Sequence, residues 1–96
     1  MTLNEFLSEL AVIAGQGEWK LGPAERIRDI QGRCPLEAVA RGESSNFVGA
    51  AYKLGIADAL TNRIIYASDF CDDLPRGNKQ LRRRLLTAVG LTDLTQ

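Results

Sequence analysis

The stretch "EWKLGPAERIRDIQG", residues 18–32, decides whether the chain is wholly helical or also carries a pair of strands. Pro23 fits the first position of a helix, where its missing N–H would go unused anyway. Such a helix places Ala24, Ile27 and Ile30 on one stripe. The rival reading is extended: Trp19 and Leu21 alternate, Ile27 and Asp29 follow the same period more weakly, and Gly22-Pro23 and Gln31-Gly32 read as turns. The residues leave both readings open.

The flanks are plainer. Upstream, "TLNEFLSELAVIAG" has Thr2 and Glu5 at capping-box spacing, and Leu3, Phe6, Leu7, Leu10, Ile13 and Ala14 share one face of a helix that Gly15 and Gly17 end. Downstream, "CPLEAVARG" reads as a short helix with Pro35 first, Glu37 in the first turn and Gly42 as the stop. "SSNFVGAAYKLG" predicts a serine-capped helix with Phe47, Ala50, Ala51 and Leu54 inward and Gly55 at its end. "DALTNRIIYAS" turns Leu60, Ile64 and Ala67 to the core and Asn62, Arg63 and Tyr66 to the other side. After the loop "DFCDDLPRG", the segment "NKQLRRRLLTAVG" carries Leu81, Leu85, Ala88 and Val89 on its core face, with Gly90 as the stop. The expected architecture is mainly α, a single domain over residues 1–96: a bundle of five or six short helices, with a small β-hairpin near residues 18–33 if the extended reading holds.

At 96 residues the chain suits one modest core, and 45% hydrophobic with 25% charged residues is the balance of a folded protein. Basic and acidic residues number 12 each, so no global field draws it to nucleic acid or to an anionic membrane. Charge is uneven locally. Residues 1–18 hold Glu5, Glu9 and Glu18 and no base, whereas residues 76–84 hold Arg76, Lys79, Arg82, Arg83 and Arg84 and no acid. No apolar run approaches the ~20 residues that span a bilayer, and the start lacks a basic signal-peptide region. The expected location is cytoplasmic, where Cys34 and Cys71 stay reduced.

The chain has no histidine. That removes Ser-His-Asp and Cys-His catalysis and the common zinc sites, and the chain is expected to be no enzyme and to need no cofactor or metal. Cys34, beside Arg33 and ahead of a helix, is the one candidate for a lowered thiol pKa, but without an activating partner it reads as a small core residue. Asp69, Asp72 and Asp73 lack the oxygen spacing of a calcium loop and read as a solvated turn. "GQG", residues 15–17, is too short to be a phosphate loop.

What remains is surface. In "RGNKQLRRRLL", Lys79 and Arg83 stack one turn apart on the solvent face while Arg82 and Arg84 flank the apolar stripe. Val12 and Leu86 are isolated apolar residues that a second copy could cover. "AAYKLGIADALTNRII", residues 50–65, resembles a helix-turn-helix through Ala51, Gly55, Ile56 and Ile64, with Thr61 where that motif buries an aliphatic residue. The resemblance implies nucleic-acid binding by the segment 47–66, with Asp58, Ala59, Asn62, Arg63 and Tyr66 toward the groove.

In order, "EFLSEL", "WKL", "IRDIQGRCPLEAVA", "AAYKLGI", "RIIYASD" and "LRRRLLTAVGL" also resemble small proteins of tailed phages and prophages. That resemblance favours the extended form of "IRDIQGRCP" and implies a non-enzymatic protein that binds, and redirects or inhibits, a host protein. It carries no functional residues. From the residues themselves, Asn62, Arg63 and Tyr66, or the Lys79 and Arg83 face, are the expected partner contacts, with nucleic acid as the alternative partner.

Overall fold

The computed structural model describes residues 1–42, 44, 46–69 and 76–91. Its elements run α1 (Leu3–Ala14), β1 (Trp19–Leu21), β2 (Ile27–Asp29), α2 (Pro35–Val39), α3 (Phe47–Leu54), α4 (Asp58–Ser68) and α5 (Arg76–Ala88). The chain is mainly α with one small antiparallel hairpin. The residues behind the expectations for Cys71, Asp72 and Asp73 lie outside the described ones.

The hairpin resolves the open stretch. Trp19 pairs with Asp29, Lys20 with Arg28 and Leu21 with Ile27. Pro23 does start a helical turn, but a single 3₁₀ turn, Pro23–Glu25, which Glu25 ends in the left-handed region at φ 60°. A continuing helix would have buried Ile30 with Ile27; instead Ile27 is fully buried and Ile30 is 63% exposed, the alternation of an extended chain.

Asp29 is the second inward residue of β2. Its carboxylate is occupied: one oxygen accepts from the backbone N–H of Gln31 and of Arg33, and the other from Arg33 Nε at 2.8 Å. That arrangement closes the turn between β2 and α2.

α1 begins with a complete capping box: Glu5 N–H donates to Thr2 Oγ1 and Thr2 N–H to Glu5 Oε1. Phe6 and Leu10 are buried, and Leu3, Leu7, Ile13 and Ala14 pack around them. The short α2 is the centre of the fold: Pro35, Leu36, Ala38 and Val39 are all buried, and α1, α3, α4 and β2 pack on it. A five-residue helix this buried owes its stability to packing, since its own hydrogen bonds are too few.

α5 packs on α4 and α1 through Leu81, Leu85 and Val89. Two surface expectations fail on this helix. Leu86 is 1% exposed and Arg82 2% exposed, so neither belongs to the outer face. Leu86 is enclosed because the apolar arc is wider than the stripe of Leu81, Leu85 and Val89, and Arg82 is enclosed because it finds carbonyl acceptors inside. Its Nη1 donates to Ala67 O at 2.9 Å and its Nη2 to Glu25 O at 2.8 Å. The hairpin is tied to the end of α4 a second way, by a bridge between Arg26 and Asp69 and by the Arg28–Asp69 ion pair at 2.7 Å.

Candidate functional site

Two exposed large apolar side chains, Val48 and Tyr52, stand beside a groove at the corner between α3 and α4. The cap of α3 is Asn46, whose Oδ1 accepts from Gly49 N–H at 2.8 Å. The expected serine cap is therefore displaced, and Ser44 instead donates its hydroxyl to Asn46 O at 3.1 Å, bracing the capping residue. α3 then buries Ala50 and Ala51 completely or nearly so, with Phe47 and Leu54 half-buried at the core's edge.

The helix stops at Gly55, at φ 67°, with Gly55 N–H bonded to Tyr52 O and Ile56 N–H to Ala51 O. A left-handed residue at this place reverses the chain within one turn, which is the glycine's conformational role. The N-terminal ammonium of Met1 donates to Gly55 O at 2.9 Å and fixes the same corner to the start of α1. α4 begins at Asp58, whose charge suits the positive end of the helix.

Thr61 is 6% exposed, and its hydroxyl donates to Ala57 O at 3.0 Å. The one proton of the Thr61 hydroxyl is thus satisfied at the start of its own helix, so burial leaves no unpaired donor there. Ala51, Ile56 and Ile64 are buried as that resemblance implies.

Between the two helices is a groove of about 560 Å³, lined by Phe47, Val48 and Tyr52 of α3, Ile56 of the turn, and Asp58 and Asn62 of α4. Tyr52 is 89% and Val48 61% exposed. Of the residues expected to bind a partner, Asn62 lines this groove. Arg63 and Tyr66 are exposed on the same outer side of α4, Tyr66 one turn beyond Asn62. Lys79 and Arg83 are also exposed, one turn apart on α5, and no hydrogen bond or ion pair among the described residues joins them to the α4 group. The expected contacts thus stand as two groups on two helices.

Tyr52 and Val48 were not among the expected contacts. Their signal was present, since two large apolar residues four apart fall off the Ala50, Ala51 and Leu54 stripe of the same helix. Cys34 belongs to neither group. Its residue is 3% exposed and burial pushes the thiol up to about 12, the opposite of an activated cysteine.

The corner offers a phenol, an amide, a guanidinium, a carboxylate and apolar carbon, which are groups suited to recognition. Among the described residues no helix is long and apolar enough to cross a membrane. Compared with protein-family models, curated proteins and solved structures, the chain matches none.

Proposed function

We propose that the chain is a small non-enzymatic binding module that engages a protein partner through the α3–α4 corner, with Tyr52, Val48, Asn62, Arg63 and Tyr66 as the contact. The observation that carries this reading is the 89% exposure of Tyr52 at the lip of an apolar groove. A large aromatic side chain left in water beside concave apolar surface is the arrangement in which binding hot spots occur. Tyr66 and Arg63, next along α4, are of the types that interfaces favour. The resemblance to small proteins of tailed phages makes a bacterial host protein the proposed partner.

The test begins with capture from a bacterial lysate by the wild-type chain, by Tyr52→Ala with Tyr66→Ala, and by Val48→Asp. A protein enriched by the wild type alone is then purified and titrated against all three. The expected result is a Kd weakened about tenfold or more in each variant at unchanged circular dichroism. Equal recovery of every captured protein by all three chains removes the corner from the argument.

A second reading, nucleic-acid binding by residues 47–66, is supported by the left-handed Gly55 and by the buried, self-satisfied Thr61. It is opposed by Asp58, an acid at the start of the helix that would meet the phosphates, and by the zero net charge. Electrophoretic shifts on random duplex at low salt, fading steeply as salt rises, are its expected signature. No shift at micromolar protein rules it out.

A further inference from the structure

Two exposed charge pairs of opposite sign and equal spacing lie on helices that are neighbours in the fold. α1 exposes Glu5 and Glu9, four residues apart, together with Asn4, Ser8 and Val12. α5 exposes Lys79 and Arg83, also four apart. Side chains at that spacing stack about 6 Å apart, one turn along a helix, so the acidic and basic pairs match in length. α1 and α5 pack against each other. Arg84 Nη2 donates to Asn4 Oδ1 at 2.6 Å along the exposed edge where the two helices meet, and beyond that edge Glu5 and Glu9 occupy the outer flank of α1 and Lys79 and Arg83 that of α5.

Among the described residues the side chains of Glu9, Lys79 and Arg83 make no hydrogen bond or ion pair, and Glu5 has one carboxylate oxygen outside its capping-box bond from Thr2 N–H. The ion pairs among the described residues are Arg28–Asp69 and Arg33–Asp29, and none involves Glu5, Glu9, Lys79 or Arg83. Val12, 54% exposed on the same helix as the acids, is likewise uncovered.

We propose that this face binds a second copy of the chain, with Glu5 and Glu9 of each protomer meeting Lys79 and Arg83 of the other about a two-fold axis. The axis follows from adjacency. Rotating one copy by half a turn about a line between α1 and α5 sets its acidic helix on the other's basic helix, and its basic helix on the other's acidic one, so both contacts form together.

Other occupants fit less well. Nucleic acid or an acidic protein would gain from Lys79 and Arg83 but would be repelled by Glu5 and Glu9 alongside, and a basic partner meets the converse. A second copy carries both signs at the matching spacing, and the zero net charge leaves no long-range repulsion to overcome. Exposed ion pairs are individually weak and screened by salt, so the dimer is a loose one that ionic strength dissociates. This face is distinct from the α3–α4 corner, so its test does not depend on the partner proposed there.

Sedimentation of the full chain over a range of concentrations decides the matter. The wild type is expected to dimerise at low salt, with association weakened roughly tenfold or more at high salt. Glu9→Lys alone, and Lys79→Glu with Arg83→Glu, are each expected to stay monomeric. Mixing those two variants gives a one-to-one dimer weaker than that of the wild type. Glu5 and Glu9 of the second variant again meet Lys79 and Arg83 of the first, whereas in the other half the lysine introduced at position 9 attracts the new acids while Glu5 beside it repels them. A wild type that is monomeric at every concentration and salt overturns the proposal. So does a dimer that persists in both variants, or a mixture that fails to pair. All substituted positions are exposed, and unchanged circular dichroism and thermal midpoints exclude misfolding as the cause of a lost dimer.

Discussion

Arg82 in α5 donates from Nη2 to the main-chain carbonyl of Glu25 at 2.8 Å, across 57 positions of sequence. The same guanidinium donates from Nη1 to Ala67 O at 2.9 Å, so one side chain, 2% exposed, joins α5 to the hairpin turn and to the end of α4. A planar fork is suited to this, since it addresses two carbonyls at fixed angles.

Replacing Arg82 by Met keeps most of the volume and leaves the buried Ala67 carbonyl and the part-buried Glu25 carbonyl without this donor, at roughly 1–3 kcal/mol apiece before any relaxation. Arg82→Met is therefore expected to lower unfolding stability by about 2–4 kcal/mol, and Arg82→Lys to recover only part of it because an ammonium cannot reproduce the fork. Urea denaturation of the three chains measures this. A loss below about 0.5 kcal/mol in Arg82→Met, the range of ordinary surface changes, would show that the clamp is dispensable.

Glu25 itself is expected to be a position where substitution stabilises. It stands at φ 60°, which costs a side-chain-bearing residue on the order of 1–2 kcal/mol, and its Oε2 is buried with no hydrogen-bond partner. Arg82 uses only its carbonyl, which any residue supplies. Glu25→Gly should raise stability by about 1 kcal/mol, because glycine adopts this conformation freely and removes the buried oxygen. A thermal midpoint unchanged or lowered would mean that the Glu25 side chain contributes packing that outweighs its strain.

These two residues also mark where the fold stops being legible. α1, with its Thr2 and Glu5 capping box, and the glycine stop at Gly55 follow from local chemistry that a few neighbouring residues contain, whereas α2 ends at Val39, ahead of the expected Gly42, and Arg41 itself takes the left-handed φ of 58°. Pro23 is ambiguous because its fixed φ suits both a helix start and a 3₁₀ turn, and the turn was decided by Glu25 taking a positive φ, a choice for which glutamate carries no local signal. The burial of Arg82 is set by acceptors 15 and 57 positions away, which no helical wheel of α5 contains. At the candidate corner, Asn62, Arg63 and Tyr66 are exposed on α4 as its period implies. Tyr52 stands off the α3 stripe, but the groove beside it is formed by α4 residues that no wheel of α3 contains.

Gly55→Ala tests the corner as a piece of backbone. The residue has φ 67°, and a Cβ there would stand 3.5 Å from the Met1 amine, so space is adequate and the cost is conformational. The expected loss is about 1–2 kcal/mol, with Gly55→Asn losing less because its side chain tolerates the left-handed region. If urea midpoints rank alanine equal to glycine, the turn has another conformation open to it.

Cys34 supplies a prediction in pH. Its thiol is pushed up to about 12 from an ordinary 9.0, chiefly by burial, so the native state holds its proton where the unfolded chain has released it. Below pH 9 both states carry the proton and the group leaves stability unchanged. Above it the unfolded state binds fewer protons, and stability falls with a slope approaching about 1.4 kcal/mol per pH unit until the native thiol ionises as well.

Other groups titrate in that range, so the quantity to measure is the difference between Cys34 and Cys34→Ala chains, both carrying Cys71→Ser. That difference should move against the cysteine chain as pH rises from 9 toward 11. Thiol labelling checks the same burial at neutral pH. A thiol at about 12 holds on the order of a thousandfold less thiolate than one at 9.0, so native Cys34 should react with a disulfide reagent at least about a hundredfold more slowly than in urea. Native labelling as fast as that of the unfolded chain would place the sulfur in solvent, and with it reopen a chemical role for the residue that leads into α2.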